Sequence, residues 1–164
     1  MIITVPLVVF MSITFVLVFL FVKTIDPRKW LTFLVSLALT PVVYFYAVYP
    51  MINIFSSYHH QKHFSAEVWK AKPALRYELS DDMITSEILL GMTKNDIKAQ
   101  LGAYEWLSWN DAEKKHNENR WNYSLGIEPG AFNQKKQCIE LQFSDQKVTK
   151  VKPYKEDIEP NAKD

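Results

Sequence analysis

The sequence predicts an α+β protein in which two transmembrane helices form a hairpin and a small two-layer domain follows. In that domain, two short helices pack on a three- to four-stranded antiparallel sheet. Three observations support this fold class. Two long stretches in the first third of the chain carry no charge, capping signals delimit short helices after them, and apolar and polar residues then alternate in several strands.

The two uncharged stretches comprise residues 2–22 and 30–58. Each exceeds the roughly 20 residues that a helix needs to cross a bilayer. Because lipid offers no hydrogen-bond partner to the backbone, both should be helical. We therefore predict a hairpin domain over residues 1–58, with spans at about 2–22 and 30–55 and a loop at 23–29.

Two features of these spans lead to further predictions. The first span has no basic N-terminal region and no small-residue cleavage site before Lys23, so we expect it to be retained rather than removed as a signal peptide. The second span contains Pro41 and Pro50, and proline disrupts helical hydrogen bonding, so we expect a kink near Thr40.

The loop between the spans is basic, because it contains Lys23, Arg28 and Lys29. By the positive-inside rule, a short basic loop of this kind stays in the cytoplasm. Both termini and the C-terminal domain are therefore expected on the opposite side of the membrane.

The composition of residues 59–164 excludes some classes of function. This region has 16 Lys and Arg against 17 Asp and Glu, whereas a nucleic-acid-binding domain would show a basic surplus. Cys138 is the only cysteine, so no intramolecular disulfide can form.

Residues 59–80 are expected to connect the membrane to the domain. His59 and His63 are four residues apart, a spacing that could hold zinc on a helix, but no third ligand is evident nearby. We favour a polar membrane exit over a metal site and expect no cofactor. Ser65 is a suitable N-cap for a short helix through Trp69.

The main domain is predicted over residues 81–152. Ser80 is expected to cap its first helix, with Asp81 and Asp82 in the first turn and Gly91 at the end. Acidic residues suit a helix N-terminus, so we interpret this pair as a helix signal rather than as catalytic acids or metal ligands.

The next helix has well-specified ends. Thr93 is an N-cap with Asp96 at the position of a capping-box acid, and Met92 and Ile97 form a hydrophobic staple. Gly102 should end this helix.

Strands are predicted after this helix. They are residues 106–109, 121–125, 139–143 and 147–152, with loops at 110–119 and 126–136. The apolar sides of the second and third strands, which are Trp121, Tyr123 and Leu125, and Ile139, Leu141 and Phe143, should meet the helices through Ile88, Ile97 and Leu101. Residues 153–164 lack an apolar pattern and are expected to be a disordered tail.

Three short motifs resemble the BamE/SmpA-like family of small periplasmic domains. They are G-x-T-K-x-D-I-x-x-x-L-G at residues 91–102, W-x-Y-x-L-G at 121–126, and L-x-F-x-D-x-K-V at 141–148. The resemblance implies a two-layer α+β module that faces the bacterial periplasm and binds other proteins or lipid. The namesake is an accessory lipoprotein of the outer-membrane β-barrel assembly machine.

The chain departs from that namesake because it has two predicted spans in place of a lipobox cysteine. The resemblance therefore implies a multi-pass protein of the bacterial inner membrane, with both termini and the C-terminal domain in the periplasm. The expected partners are the lipid bilayer and one or more envelope proteins.

Two binding functions are compatible with these features. One is an interaction module that is an accessory of envelope assembly or maintenance. The other is a membrane-held immunity or inhibitor protein that neutralises a toxin or enzyme acting in the periplasm. A toxin gene next to the gene for this chain would favour this second function.

No hydrolase, zinc-protease or phosphate-loop motif occurs, so an enzyme is not expected and no catalytic residue is assigned.

Tryptophans are the candidate partner-binding residues, because this residue type is enriched at the centres of interfaces. The candidates are Trp106, Trp109 and Trp121, although Trp121 could equally belong to the core. Trp106 and Trp109 are three residues apart in one strand, so they should point to opposite faces unless the strand bulges. We hypothesise that Trp109 and the loop at 110–119 form part of the partner surface; the alternative is that the loop folds back over the tryptophan as a lid.

Overall fold

The computed structural model describes residues 1–158, so the last part of the predicted tail lies outside the described residues. The chain forms two compact units. The first contains residues 1–60 together with Pro129–Phe132, and the second contains Gln61–Glu128 and continues from Asn133. Two long apolar helices precede a four-stranded antiparallel sheet with helices, which confirms the predicted α+β class.

The first unit is a helical hairpin. Helix α1 spans Val5–Ile25, and the second arm consists of α2 (Lys29–Val43), a π-helical turn (Tyr44–Val48) and α3 (Tyr49–Phe55). The connection is shorter than the predicted loop, because α1 continues through Lys23. The π-helical turn begins three residues after Pro41, and the disturbance expected near Thr40 takes this form.

The turn between the helices is closed by Asp26. Its carboxylate accepts hydrogen bonds from the backbone amide of Arg28 at 2.8 Å and from the Arg28 guanidinium at 2.7 Å. These bonds lower the pKa of Asp26.

Small polar side chains are buried in both arms of the hairpin. Thr32, Ser36 and Thr40 lie on one face of α2 and are buried, as is Thr14 of α1. Each hydroxyl donates to the carbonyl oxygen four residues earlier in its own helix, at 2.7 to 3.0 Å. The hydroxyls are therefore satisfied without a polar partner from the other arm.

Both arms expose apolar side chains on their remaining surface. The helices Val5–Ile25 and Lys29–Phe55 are long and apolar enough to cross a membrane. A core helix of a soluble protein would be mostly buried, whereas only 22% of the most apolar window of each helix is buried here. This exposure indicates membrane anchoring.

At the end of the second arm, His60 is enclosed by aromatic rings. Its imidazole stacks on Tyr49 with ring centroids 4.0 Å apart, and its Nε2 lies 2.9 Å from the hydroxyl of Tyr44. His60 is therefore buried in an aromatic cage within the first unit.

The second unit begins with short helices. They are α4 (Ala66–Ala71), a 3-10 turn (Pro73–Leu75), α5 (Tyr77–Thr85) and α6 (Lys94–Leu101). The predicted caps of α4 and α6 are confirmed. The hydroxyl of Ser65 accepts from the amide of Val68, and Thr93 and Asp96 form a reciprocal capping box, with Gly102 ending α6.

The prediction for α5 was wrong at both ends. The helix begins at Tyr77 rather than after Ser80, and it ends at Thr85, several residues before Gly91. Asp81 and Asp82 do not lie at the N-terminus of this helix, and their carboxylates instead bind the segment that precedes α4. The Asp81 carboxylate accepts from the Gln61 amide at 2.6 Å, and the Asp82 carboxylate accepts from the backbone amide of Phe64 at 2.8 Å.

The predicted connector is therefore part of the domain from Gln61 onward. The backbone amide of Lys62 donates to the carbonyl oxygen of Glu78 at 2.7 Å, and His63 contacts Asp82 at 3.2 Å. Trp69 is fully buried and donates from its indole to the carbonyl oxygen of Leu101 at 3.1 Å. This residue is a core residue and not a membrane anchor.

The sheet is an antiparallel meander in the order β1-β2-β3-β4. Its strands are β1 (Trp106–Asn110), β2 (Lys115–Ile127), β3 (Lys135–Ser144) and β4 (Lys147–Asp157). The predicted loop at 110–119 is wrong, because β2 begins at Lys115 and only a short turn separates it from β1.

The predicted tail was also wrong where the structure describes it. β4 continues through Pro153 to Asp157, and Pro153 pairs with Ile139. Proline lacks a backbone donor, but β4 is an edge strand with one unpaired side, which tolerates proline.

The core lies between the helices and the inner sheet face. Its sheet residues include all six predicted ones, which are Trp121, Tyr123, Leu125, Ile139, Leu141 and Phe143. Ile97 and Leu101 meet them from α6 as predicted. Ile88 is exposed, and Leu89 is buried in its place, because α5 ends earlier and the following turns rotate the chain.

We expect Leu141→Ala to lower the free energy of unfolding by about 2–5 kcal/mol, because Leu141 is fully buried and the cavity would not refill. Urea unfolding of the full chain in detergent micelles, followed by tryptophan fluorescence, measures this change. Leu90→Ala is the control, since Leu90 is partly exposed, and it should cost much less. Equal effects of the two variants would contradict this packing.

Candidate functional site: the outer face of the sheet

The outer face of the sheet turns away from the helices and carries polar side chains. One row of paired residues crosses all four strands. Trp106 pairs with Asn122, Asn122 with Glu140, and Glu140 with Lys152. Directly paired residues share a face, so this row forms the middle of the outer face.

A pocket of about 480 Å³ opens on this face. Its lining residues are Trp106, Leu107, Ser108, Trp109, Asn122, Glu140, Lys152, Tyr154 and Glu156. All four strands contribute to it, so the pocket depends on the register of the whole sheet.

Both tryptophans of β1 lie at the pocket, and the pairing of β1 with β2 is irregular between them. The register between β1 and β2 shifts between Leu107 and Trp109. A regular strand would send Trp106 and Trp109 to opposite faces, but both line the pocket here. The extra residues lie on β2, because Ser108 alone stands opposite residues 117–120 between the pairs Leu107–Trp121 and Trp109–His116.

Glu140 is the centre of the polar network at the floor of the pocket. Its side chain is only 7% exposed. It accepts hydrogen bonds from Arg120 at 2.9 Å, from the Gln142 amide at 2.7 Å and from the Ser108 hydroxyl. Burial alone would raise the pKa of Glu140, but these three bonds outweigh it and hold the pKa below its ordinary value.

Asn122 extends the network towards both edge strands and is 1% exposed. Its amide nitrogen donates to the Ser108 hydroxyl oxygen at 2.9 Å, and its carbonyl oxygen accepts from the Tyr154 hydroxyl at 2.9 Å. The network therefore joins side chains from β1 to β4 and leaves no polar atom of Asn122 without a partner.

A second charged group borders the pocket. Lys136 lies 3.5 Å from the Glu156 carboxylate and places its ammonium 4.6 Å from the centre of the Trp106 ring. This cation–π contact holds Trp106 against the sheet. The neighbouring Cys138 is buried, and burial together with Glu156 raises the pKa of its thiol to about 12.

The predicted partner-binding tryptophans differ in exposure. Trp109 is 51% exposed and contacts the His116 ring at its edge, with centroids 5.2 Å apart. Trp106 is half-buried at the same pocket. Trp121 is only 4% exposed and packs on Tyr104 and Phe143 in the core, so its assignment as a partner contact is corrected.

Sequence reasoning missed four residues of this site. They are Ser108, Asn122, Glu140 and Tyr154. Asn122 and Glu140 are polar residues that alternate with apolar ones in predicted strands, and Tyr154 fell in the segment expected to be disordered. A signal was present, because a glutamate and an asparagine in the middle of adjacent strands require partners once the strands pair.

The polar groups at the pocket differ in how far they are open to a ligand. The Glu140 carboxylate is fully engaged, and the Cys138 thiol is protonated at neutral pH. Within residues 1–158, no group of three or more His, Cys, Asp or Glu side chains is arranged to hold a metal ion. The groups that remain open to a ligand are the exposed indole of Trp109 and the Lys152 ammonium.

No family model, curated protein or solved structure matches the chain.

We expect Glu140→Gln to destabilise the protein by about 1.5–3 kcal/mol at pH 7, the usual worth of a hydrogen bond to a charged group. A folded-state pKa below the unfolded value of about 4.3 stabilises the protein above that pH, and this contribution is lost as the pH falls through the folded-state pKa. The difference between wild type and variant should therefore shrink below about pH 4.

Urea unfolding of both proteins at pH 7, 5 and 3 measures this dependence. Glu113→Gln is the control, because Glu113 makes an exposed pair with Lys115 and its replacement should have little effect at any of these pH values. A wild-type advantage that persists unchanged at pH 3 would show that the Glu140 charge is not the cause.

Proposed function

We propose that this chain is an inner-membrane-anchored, periplasm-facing protein-interaction module that serves as an accessory of envelope assembly or maintenance. The hairpin supports the anchoring part of the proposal, because its two apolar helices expose most of their surface. The resemblance of residues 91–102, 121–126 and 141–148 to the BamE/SmpA-like family supports the periplasmic part.

The observation that carries the binding function is the pocket on the outer face. An exposed tryptophan, Trp109, stands at the rim of a floor in which the side chains of Glu140 and Asn122 are hydrogen-bonded within the sheet. Such a floor holds its shape before a partner arrives, and a rigid aromatic side chain contributes a large contact area at small entropic cost. This combination is typical of the centre of a protein–protein interface.

The orientation rests on charge. Lys23, Arg28 and Lys29 lie at the connection between the two helices, where cytoplasmic loops carry their basic residues. The ion pair between Arg28 and Asp26 leaves the two lysines as net positive charge at this end of the hairpin.

For this orientation, we expect a reporter that is active only in the periplasm to be active when fused after Asp164. A cytoplasmic reporter fused at the same position should be inactive, and one inserted between Asp26 and Arg28 should be active. Activity in the reverse pattern would refute the periplasmic orientation.

We expect Trp109→Ala to reduce partner binding at least about tenfold while the domain stays folded, because a central tryptophan often contributes 2 kcal/mol or more. A photo-crosslinking amino acid at position 109 in living cells identifies the partner, and co-purification with wild type and Trp109→Ala then compares the affinities. Ile88→Ala is the control, because Ile88 is an exposed apolar residue outside the pocket.

The crosslinked proteins also separate the two binding functions. An envelope-assembly component supports the accessory role, whereas a secreted toxin or enzyme supports the immunity or inhibitor alternative. Equal crosslinking at positions 109 and 88, or a Trp109→Ala domain that no longer folds, would remove the outer face as the partner surface.

A further inference from the structure

The outer face carries two positive charges that no acidic side chain balances within residues 1–158. The cations Arg120 and Lys136 are paired with Glu140 and Glu156. Lys150 and Lys152 are also on this face, because they pair across the strands with Gln142 and Glu140, but neither makes an ion pair. Lys152 lines the pocket, so a ligand there meets a free ammonium group.

This charge and the exposed tryptophan lie at opposite sides of the sheet. Trp109 belongs to β1 and Lys152 to β4, with β2 and β3 between them. Three strand spacings, about 14 Å, separate β1 from β4, and Trp109 lies a further three residues along β1 from the row that joins Trp106 to Lys152. Four residues of an extended chain cover the distance across the strands, and the long lysine and glutamate side chains cover the offset along them.

A partner segment could bind either as an additional strand at an edge of the sheet or across its outer face. The edges of this sheet are poorly suited to the first mode. β4 carries Lys147, Lys150, Lys152 and Lys155 and contains Pro153, features that block edge pairing. β1 has only five residues, and its pairing with β2 is interrupted by a register shift. A short edge strand with irregular pairing offers few regularly spaced backbone groups to a new strand.

We propose that the outer face binds an extended acidic segment of the partner protein, which crosses the strands from β1 to β4. An apolar side chain of the segment packs on Trp109, and a carboxylate four residues further along pairs with Lys152. Residues i and i+4 of an extended chain point to the same side, so both reach the sheet together. This inference rests on the proposed binding function and specifies the chemistry of the partner.

The test uses the full chain in lipid nanodiscs and a fluorescent probe peptide, Thr-Phe-Thr-Ser-Thr-Glu-Thr, which has the phenylalanine and the glutamate four residues apart. The control peptide, Thr-Phe-Thr-Ser-Glu-Thr-Thr, has the same composition but turns the glutamate to the opposite side. Fluorescence anisotropy should show binding of the probe at least about threefold tighter than that of the control, and the preference should weaken as salt is raised.

Substitutions in β4 test whether the preference for the probe depends on the charge of Lys152. Lys152→Gln should weaken binding of the probe about threefold, as loss of an exposed ion pair would. Lys152→Glu should weaken it further, and a probe with lysine in place of glutamate should restore binding to that variant. Lys155→Gln is the matched control, because Lys155 already pairs with Glu128 at 3.6 Å, and it should bind as the wild type does.

The outcomes separate this inference from the proposed function. A probe that does not bind the wild-type chain, or that binds equally with either glutamate position, overturns the acidic-segment proposal. The acidic-segment proposal is also overturned if the partner crosslinked at position 109 binds Lys152→Glu as tightly as it binds the wild type. That result would not contradict the proposed function as a protein-interaction module. If no partner crosslinks at position 109, the proposed function itself fails.

Discussion

The buried carboxylate of Glu140 is the constraint on which the outer face of the sheet depends. A carboxylate with so little contact with water is stable only when hydrogen bonds replace its hydration. Its three donors come from three strands, namely Ser108 on β1, Arg120 on β2 and Gln142 on β3 itself. They meet only in the observed register, because a slip of one residue would turn each side chain to the other face.

The same constraint explains the geometry of β1. The Ser108 hydroxyl has to reach Glu140 across β2 while also accepting from Asn122, and this places Ser108 at the point where the pairing of β1 shifts. Trp109 follows directly after this irregular point and lines the pocket beside Trp106. The aromatic rim of the pocket and its hydrogen-bonded floor therefore adjoin one another in β1.

Local interactions made part of this fold predictable from the sequence. The capping box of Thr93 and Asp96, the cap at Ser65 and the inward side of Trp121 and Leu141 depend on neighbours along the chain or on simple alternation.

The features that escaped prediction depend on distant partners. Asp82 resembles a helix-start acid, but it binds the amide of Phe64, and α5 therefore begins earlier than its capping signals indicate. Pro153 suggests the end of a strand, yet its position on an unpaired edge lets β4 continue to Tyr154, whose hydroxyl completes the network at Asn122. The pocket could not be predicted for the same reason, because its residues come from four strands whose register no single segment specifies.

The two units satisfy their buried polar groups in different ways, and this difference bears on where specificity resides. In the hairpin, Thr32, Ser36 and Thr40 bond to carbonyl oxygens of their own helix. Their burial therefore requires small size at the helix contact and no particular polar partner, which suits an anchor surrounded by lipid. In the sheet, Glu140 and Asn122 are bonded mainly to side chains of other strands, and one altered member leaves others without partners. Recognition that depends on defined geometry is therefore expected on the outer face of the sheet, and the hairpin is expected to determine only where that face is held.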